Sequence, residues 1–379
     1  EVRAEVLRYL ILGGCEDCRV HEQGVQLVGA WVSGKLDLSF ARASGQTFLL
    51  RCRFEQLMVA VQTRFELLFF GGSTLPGLNA EGVEVKGSMF LNGGFVAEGE
   101  VSLSGARIGG QLECDAGEFK NANGLALNAQ HVAVKGSIYL RNGFVAEGEV
   151  RLSGARVDGQ LVCDDGLFKN AEGQALNAQG VEVTGGVFLS DGFAAEGEVS
   201  LLGARIGGQL ACVGGQFKKA EGDALNAQRM QVADSLFWRG VTVSEGGVDF
   251  ASAHVGDLVD ELESWPEAGR LYLDGFTYDR ISGAFTGVKQ RLDWLSRGTV
   301  WVREFHPQPY TQLAKVLREM GHESAARKVS IKRIELTQWH DWQRAHRALN
   351  GDWRPAWRSI AADWVHAFGV LSRWVVGYG

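Results

Sequence analysis

The sequence lacks the features by which membrane spans and secretion signals are recognised. No run of about 18 uncharged apolar residues occurs, so we expect no segment of this chain to cross a bilayer as a helix. No positively charged segment with an apolar core and a cleavage site precedes the first predicted element. The chain starts at Glu1 rather than at a methionine, and we expect it to lie within a longer protein.

The patterns of common enzymes are also missing. No Gly-x-Gly-x-x-Gly follows a strand and opens a helix, because Gly203-Ala-Arg-Ile-Gly-Gly208 and its copies lie at predicted corners. The 8 histidines form no cluster with cysteine at haem or iron–sulfur spacing. Asp164 and Asp165 are a candidate carbohydrate-cleaving pair, but Asp115-Ala116 and Val213-Gly214 replace them in neighbouring copies, which favours an ordinary surface. We predict no catalytic, cofactor-binding or metal-binding residue.

Cysteine is scarce, with 6 in the whole chain. Cys15 and Cys18 form a Cys-x-x-Cys, a spacing found in redox pairs and in half of a zinc site. Zinc needs two more ligands and only His21 lies nearby, while a thioredoxin-like role needs a βαβ setting that is absent. We interpret the two residues as ordinary cysteines in a loop, and we expect a reducing compartment.

A 49-residue repeat organises the first two thirds of the chain. Leu-Asn-Ala begins at residues 78, 127, 176 and 225, and Gly-Ala-Arg begins at residues 105, 154 and 203. Each repeat splits into two similar halves of roughly 24 to 25 residues, a length found among solenoid repeat units. Alternating apolar residues in each half predict strands, the glycines between them predict corners, and such short units bury their apolar faces only by stacking. We therefore predict a mainly β fold: a parallel β-helix, or β-solenoid, with one half-unit per coil.

Three segments are predicted. Residues 1–24 form an N-terminal capping helix followed by a loop. Residues 25–284 form the solenoid of nine or ten coils, about 45 Å long at ~4.8 Å per coil. Residues 285–379 form a basic, Trp-rich helical domain that leads toward a membrane. The apolar face of the capping helix comprises Val2, Val6, Leu7, Leu10 and Ile11.

The repeat also predicts which side chains point inward. Phenylalanines form two predicted columns, Phe95/Phe144/Phe193 and Phe119/Phe168/Phe217. A third inward column contains Cys114, Cys163 and Cys212. These cysteines lie two coils apart, roughly 10 Å, which is too far for a disulfide, so we interpret them as core filler. Outward positions vary between copies, as Glu113, Val162 and Ala211 do.

Two outward columns are candidate interaction surfaces. Glu98, Glu147 and Glu196 make an acidic stripe along one corner. This stripe is either a solvated edge, which we favour, or a site for cations or a basic partner. Arg107, Arg156 and Arg205 make the second column, which His254 continues. These arginines either pair with surface carboxylates, which we favour, or bind an anionic ligand.

Charge is distributed unevenly along the chain. Residues 1–284 contain 23 Lys and Arg against 37 Asp and Glu, a net charge of −14. Residues 285–379 contain 15 against 8, a net charge of +7, together with 8 of the 11 tryptophans. Such asymmetry indicates separate partners for the two parts. An acidic rod alone would suit DNA mimicry, but the basic tail favours a membrane, and we expect no nucleic-acid partner.

The C-terminal segment has helical spacing. A first helix follows Pro307 and Pro309 and ends at Gly321, and a second begins at His322 or Ser324, as in a single tetratricopeptide-type hairpin. Farther on, tryptophan alternates with arginine, a composition typical of an interface with anionic lipid. The candidate membrane-interface residues are Trp353, Arg354, Trp357, Arg358, Trp364, Arg373 and Trp374.

Several stretches are distinctive enough to suggest relatives. They are Val2-Arg-Ala-Glu-Val-Leu7, the Gly-Ala-Arg-Ile-x-Gly-x-Leu coils, residues 270–278, residues 309–317 and Gly377-Tyr-Gly379. Together they resemble a bacterial family of pentapeptide-like β-helical proteins, often labelled membrane-associated oxidoreductase. The resemblance covers nearly the whole chain. It implies transmembrane helices after the Gly-Tyr-Gly and redox chemistry, but it carries over no catalytic residue.

These observations predict a non-enzymatic β-solenoid scaffold, sensor or protein-interaction module. We expect it on the cytoplasmic side of the bacterial inner membrane, tethered by its C-terminal region, because a basic flank favours that side. The identity of the protein partner and the oligomeric state, including a homo-oligomer, stay open. The alternative is an oxidoreductase of unknown cofactor, as the resemblance implies, and a flavin or metal chromophore would favour it.

Overall fold

Parallel strands stacked into a solenoid make up most of the molecule. The computed structural model describes residues 1–15, 18–267, 269–283, 287–298 and 305–350. Within them lie two long parallel sheets of 15 and 19 strands and one two-stranded sheet. The parallel strands form a solenoid of about 11 turns. The predicted mainly β solenoid with a C-terminal helical region is therefore confirmed.

The elements have the following bounds. The helices are α1 (Ala4–Ile11), α2 (Val288–Arg297), α3 (Gln308–Glu319) and α4 (Glu323–Asn350). The strands of the first half are β1 (Val2–Arg3), β2 (Gly14–Cys15), β3 (Cys18–Arg19), β4 (Gly24–Val28), β5 (Trp31–Ser33), β6 (Gln46–Leu50), β7 (Arg53–Phe54), β8 (Met58–Val59), β9 (Arg64–Phe65), β10 (Leu68–Phe69), β11 (Thr74–Leu75), β12 (Leu78–Asn79), β13 (Glu84–Val85), β14 (Met89–Phe90), β15 (Val96–Ala97), β16 (Val101–Ser102), β17 (Arg107–Ile108) and β18 (Leu112–Glu113). Those of the second half are β19 (Glu118–Asn128), β20 (Ala133–Val134), β21 (Ile138–Tyr139), β22 (Val145–Arg151), β23 (Arg156–Val157), β24 (Leu161–Val162), β25 (Leu167–Asn177), β26 (Glu182–Val183), β27 (Val187–Phe188), β28 (Ala194–Ser200), β29 (Arg205–Ile206), β30 (Leu210–Ala211), β31 (Gln216–Asn226), β32 (Gln231–Trp238), β33 (Thr242–Asp249), β34 (His254–Asp260), β35 (Leu271–Tyr272) and β36 (Thr277–Ile281).

Each coil has four sides. In one representative coil, side 1 is β15, side 2 is β16, side 3 is β17 and side 4 is β18. Sides 1 and 2 build one long sheet, and sides 3 and 4 build the other. Each side buries two alternating side chains, as a strand with one buried face requires. From residue 58 to residue 85 the pairs recur every five residues: Met58/Ala60, Thr63/Phe65, Leu68/Phe70, Ser73/Leu75, Leu78/Ala80 and Val83/Val85.

The coils differ in length, which corrects the prediction of a uniform coil equal to half of the repeat. Met58 pairs with Leu78, so this early coil is short and covers only positions 58–77. Val101 pairs with Leu127 and Leu127 with Val150, so a longer coil at 101–126 is followed by a shorter one at 127–149. One long and one short coil together give the 49-residue period. The shorter early coils raise the number of turns from the predicted nine or ten to about 11.

A single stack of aromatic rings runs through the core. Phe119 lies between Phe95 and Phe144, with centroid distances of 5.4 and 5.3 Å. The prediction of two phenylalanine columns is therefore wrong, because successive coils place their rings at the same corner and the two sets alternate in one column. The spacing is that of favourable tilted ring pairs. The stack comprises Phe54, Phe70, Phe95, Phe119, Phe144, Phe168, Phe193, Phe217, Trp238, Trp265 and Trp294.

The cysteines occupy two kinds of environment. Cys114, Cys163 and Cys212 are fully buried free thiols, as predicted, and burial raises the pKa of each. Cys15 lies in an antiparallel hairpin opposite Cys18, and its side chain is in a disulfide. The prediction of two ordinary loop cysteines at 15 and 18 is therefore wrong. A tight hairpin sets the two backbones opposite each other, which the Cys-x-x-Cys spacing alone did not indicate.

Helix α1 covers the N-terminal end of the solenoid. It buries Ala4, Leu7 and Ile11. Two members of the predicted apolar face lie elsewhere, since Val6 is 41% exposed and Val2 belongs to β1. Strand β1 pairs with β5 and so belongs to the first long sheet. The chain thus covers the edge of its first coil with its own terminus, which blocks edge-to-edge pairing at that position.

Helices α2, α3 and α4 close the C-terminal end. They bury Trp294, Tyr310, Leu313, Leu317 and Val329 in the same core that fills the solenoid. The bounds of α3 and α4 agree with the predicted helix–Gly–helix pair, whereas α2 was not predicted. The proposed domain boundary between residues 284 and 285 lies outside the described residues.

A buried ion pair joins α2 to the last part of the solenoid. The two terminal nitrogens of Arg291 donate to Asp260 at 2.8 and 2.7 Å. The side chains of Arg291 and Asp260 are 1% and 0% exposed. The indole nitrogen of Trp265 also donates to this carboxylate, at 2.7 Å. Asp260 is therefore held by three donors from side chains that pack around it.

We predict that Arg291→Met destabilises the fold by about 3–5 kcal/mol, because it leaves the Asp260 carboxylate buried without its cation. The double variant Arg291→Met with Asp260→Asn removes that charge and keeps an acceptor for Trp265, so it should recover part of the loss. Urea denaturation followed by tryptophan fluorescence measures both. Equal losses in the single and double variants would contradict the assignment.

Candidate functional site

The arginine column lies on side 3, with Ala133 between Arg107 and Arg156 and a carboxylate between Arg156 and Arg205. Arg156, Glu182 and Arg205 are successive register partners. Both arginines pair with Glu182, at 3.3 and 3.1 Å, and Arg107 pairs with Glu84 at 3.4 Å. Surface pairing, the favoured interpretation, is thus present in the structure. The arginine side chains are 67–75% exposed, so each pair contributes at most about 1 kcal/mol.

The column continues beyond the repeat at both ends. His254 follows as predicted, with Gln231 as its register partner. Toward the N-terminus the column reaches Arg64 and Arg42, next to Phe40, whose side chain is 75% exposed. Two shallow depressions of about 530 and 490 Å³ lie along this side, near its C-terminal and N-terminal ends.

The glutamate stripe lies at the corner between sides 1 and 2, and lysines interrupt it. Lys169 is the register partner of both Glu147 and Glu196. Continuing the register places Lys120 between Glu98 and Glu147. The expectation of a purely acidic stripe is therefore wrong: the lysines come from the intervening coils. The full charged column comprises Glu98, Lys120, Glu147, Lys169, Glu196, Lys218 and Glu245.

Three protruding arches flank this charged column. In alternate coils the chain takes eight positions from side 1 to side 2, as from Phe119 to Leu127, whereas the next coil takes four, from Ala146 to Val150. The extra residues form arches at residues 120–126, 169–175 and 218–224. In the first arch the Asn121 amide donates to the Leu125 carbonyl at 2.9 Å, and the second arch has the same contact.

Two copies of the recurring Glu-Gly-Glu fit beneath the first two arches. Gly148 has φ +116°, and a Cβ atom there would lie 2.2 Å from the Asn121 carbonyl oxygen and 2.8 Å from that of Gly124. Gly197 has φ +128° and a similar clash with Asn170. Only glycine combines this backbone conformation with so close an approach. The glutamates on either side of each glycine are thereby held at the arch bases.

Open grooves separate successive arches. The first groove, of about 820 Å³, has Glu147, Glu149 and Glu196 beside the arch residues. The second, of about 560 Å³, has Glu196, Lys218 and Glu245. Glu149 is the most constrained of these carboxylates, because Arg151 donates to both of its oxygens, at 2.8 and 2.9 Å. The corner is a regular array of grooves with charges of both signs.

The last arch ends in a cluster of carboxylates. Burial raises the pKa of Asp223 to about 6, and the nearby carboxylates of Asp249 and Glu198 contribute to this rise. Burial also raises the pKa of Asp249, although this side chain accepts hydrogen bonds from Ala251 and Gln228. Asp223 is thus a carboxylate whose charged form the fold disfavours.

Sequence reasoning missed the lysines and the arches for one reason. The prediction took the two halves of each repeat as coils of nearly equal length, so it placed neither the extra residues of the arches nor the lysines. Lys120, Lys169 and Lys218 also recur with the 49-residue period, directly after the stacked phenylalanines. That spacing was sufficient to place them in the charged column once the coil lengths were known.

The candidate membrane-interface residues lie outside the described residues, from Trp353 through Trp374. The nearest described part is α4, in which Trp339 is 45% exposed. The helix also carries Arg327, Lys328, Lys332 and Arg333 in its first half. None of the described helices is both long enough and apolar enough to cross a bilayer.

Comparison with known proteins gives no relative. No protein-family model, no curated protein and no solved structure matches the chain.

In the described part of the chain, no three or more His, Cys, Asp or Glu side chains are grouped so as to hold a metal ion.

We predict that Gly148→Ala is more damaging than Gly143→Ala. Both glycines have positive φ, but a Cβ at Gly143 meets no atom within 4 Å. Gly143→Ala should cost about 1 kcal/mol of backbone strain, and Gly148→Ala should cost at least about 2 kcal/mol more. Urea midpoints measure the difference, and amide exchange should show loss of protection in residues 121–124 only for Gly148→Ala. Equal effects would mean that the arch does not press on Gly148.

We predict that Asp223→Asn stabilises the protein at neutral pH. Because the folded pKa of about 6 lies above the unfolded value of about 3.9, the wild type loses stability as pH rises from 4 to 6. Asparagine avoids this loss, so the variant should gain about 1–2 kcal/mol at pH 7.5, after allowance for solvent screening, and nothing at pH 3.5. Thermal denaturation across this range tests it, with exposed Glu221→Gln as the control. A gain that is independent of pH would refute the mechanism.

Proposed function

We propose that this chain is a membrane-tethered solenoid scaffold that binds a protein partner along its outer surface. The observation that carries the proposal is the regular array at the corner between sides 1 and 2. Three arches and the grooves between them repeat every two coils, roughly 10 Å, on a stack of coils filled by one aromatic column. A rigid body with an evenly repeated surface suits recognition of an extended or repeated partner.

The charges of this surface favour specificity over strong affinity. Exposed ion pairs such as Lys169 with Glu147, at 3.8 Å, are weak in water. Their fixed alternation, however, sets a pattern that a partner must match, and mismatched charges are costly at an interface. The proposed partner is therefore a protein whose surface alternates in charge along one line.

Tethering is assigned to the C-terminal region. Residues 285–379 carry a net charge of +7 on a chain whose preceding part carries −14. Anionic lipid attracts such a segment by about 1 kcal/mol per Lys or Arg near the surface, and tryptophan adds burial at the headgroup level. The same lipid repels the acidic solenoid, which would leave the arches free. The basic flank supports the cytoplasmic side of the bacterial inner membrane.

The test is co-sedimentation with anionic and neutral vesicles at low and moderate salt. The whole chain should bind anionic vesicles, and a 1–350 truncation, which keeps 12 of the 15 basic residues but loses three arginines and four tryptophans, should bind more weakly. This truncation retains α2 to α4 and the Arg291–Asp260 pair, so the core stays closed. We expect binding to weaken as salt rises, because the attraction is electrostatic.

Two matched variants separate the tail from the solenoid. One replaces Arg354, Arg358 and Arg373 with glutamine, and the other replaces Arg107, Arg156 and Arg205 with glutamine. Both remove three positive charges. Only the first should bind vesicles more weakly than the wild type. Equal binding by both variants, or by the whole chain to neutral vesicles, would contradict tethering by the tail.

A further inference from the structure

An apolar stripe runs along the outer face of side 4. Its members are register partners in consecutive coils and point away from the core. Side 4 therefore leaves three large apolar side chains partly exposed on its outer face, and a row of such side chains can mark an interaction surface. We define the side-4 stripe as Tyr139, Val162, Phe188, Ala211, Phe237 and Val259.

Large and small residues alternate strictly along this stripe. Tyr139, Phe188 and Phe237 remain partly exposed. Val162 and Ala211 between them are only 6% exposed, although both belong to outward positions that the sequence predicted to vary freely. The coils lie ~4.8 Å apart, so the stripe presents protrusions every ~10 Å with a depression between each pair.

This relief is complementary to itself when one copy is reversed. In an antiparallel face-to-face pair, a two-fold axis between the coils of Phe188 and Ala211 sets Phe188 against the partner's Ala211. The same operation sets Phe237 against the partner's Val162 and Tyr139 against the partner's Val259. Each large side chain then meets a small one, as close packing requires. A parallel pair would instead set each residue against its own copy.

The charges beside the stripe agree with the same antiparallel register. Two residues beyond each stripe residue, the outward positions include Arg141, Asp164, Arg239 and Glu261. The axis that pairs the apolar residues also sets Asp164 against the partner's Arg239, and Arg141 against the partner's Glu261. In a parallel pair the two-fold axis would run along the stripe, so these charged residues would lie on opposite sides of it and form no ion pairs.

We infer that side 4 is the interface of an antiparallel homodimer. The register includes the six coils of the stripe, so the contact is roughly 29 Å long and about 14 Å wide. Its projected area is roughly 400 Å² per copy, and the side-chain relief makes the buried area somewhat larger, so the contact belongs among weak, transient interfaces. The dimer should therefore dissociate reversibly in the micromolar range. This inference does not rest on membrane tethering or on the arches.

Sedimentation equilibrium of the whole chain tests the association. The wild type should shift from the 41.2 kDa single chain to twice that mass between ~1 and ~200 µM. Ala211→Arg should raise the dissociation constant by at least about tenfold, because arginine fills the depression that receives the partner's Phe188. The matched control is Ala133→Arg, the same substitution at an outward strand position on side 3, and it should dimerise like the wild type.

Cysteine cross-linking tests the register without depending on that substitution. Tyr139 and Val259 lie five coils apart, roughly 24 Å, so they cannot link within one chain. Oxidation should give a covalent dimer of the double variant Tyr139→Cys with Val259→Cys, and neither single variant should cross-link. A single chain at all concentrations, unchanged dimerisation of Ala211→Arg, or self-linking of Tyr139→Cys alone, which indicates a parallel pair, would each overturn the inference.

Discussion

The stacking of one coil on the next through a shared aromatic column is the constraint on which this structure depends. A coil as short as these cannot bury its own apolar side chains, because they stay open to water until the coils above and below cover them. The rings of Phe119, Phe144 and Phe168 follow one another at 5.3 Å, so each coil places a large apolar surface directly against its neighbours. The same column ends on Trp294 of α2, so the C-terminal helices continue the core of the solenoid.

This core leaves the outer surface free to vary in a regular way. Three arches project from alternate coils without disturbing the inward register, since Phe119 and Leu127 still pair with Ala146 and Val150. The 49-residue period thus reflects the surface of the solenoid, because an arch recurs only once in every two coils. The candidate binding corner and the proposed dimer face lie on different sides of the coil, so each can be altered without changing the other.

Much of the fold could be predicted from residue spacing. Alternation and recurrent glycine gave the solenoid, its parallel strands and the buried column of Cys114, Cys163 and Cys212, because these depend on periodicity alone. The relation between neighbouring coils could not be obtained in the same way. It depends on how many residues each corner takes, and the arches change that number between one coil and the next. The unequal coils hid both the single phenylalanine stack and the lysines beside Glu98, Glu147 and Glu196.

Each ring of the column holds its neighbouring coils together. Hydrogen exchange of Phe168→Ala tests it most directly, with the exposed Phe40→Ala as control. Loss of a buried ring should cost about 3–5 kcal/mol. We expect faster exchange in the coils on both sides of Phe168, decreasing with distance along the solenoid, and no change for Phe40→Ala. Faster exchange confined to the strand that contains Phe168, with adjacent coils as protected as before, would contradict it.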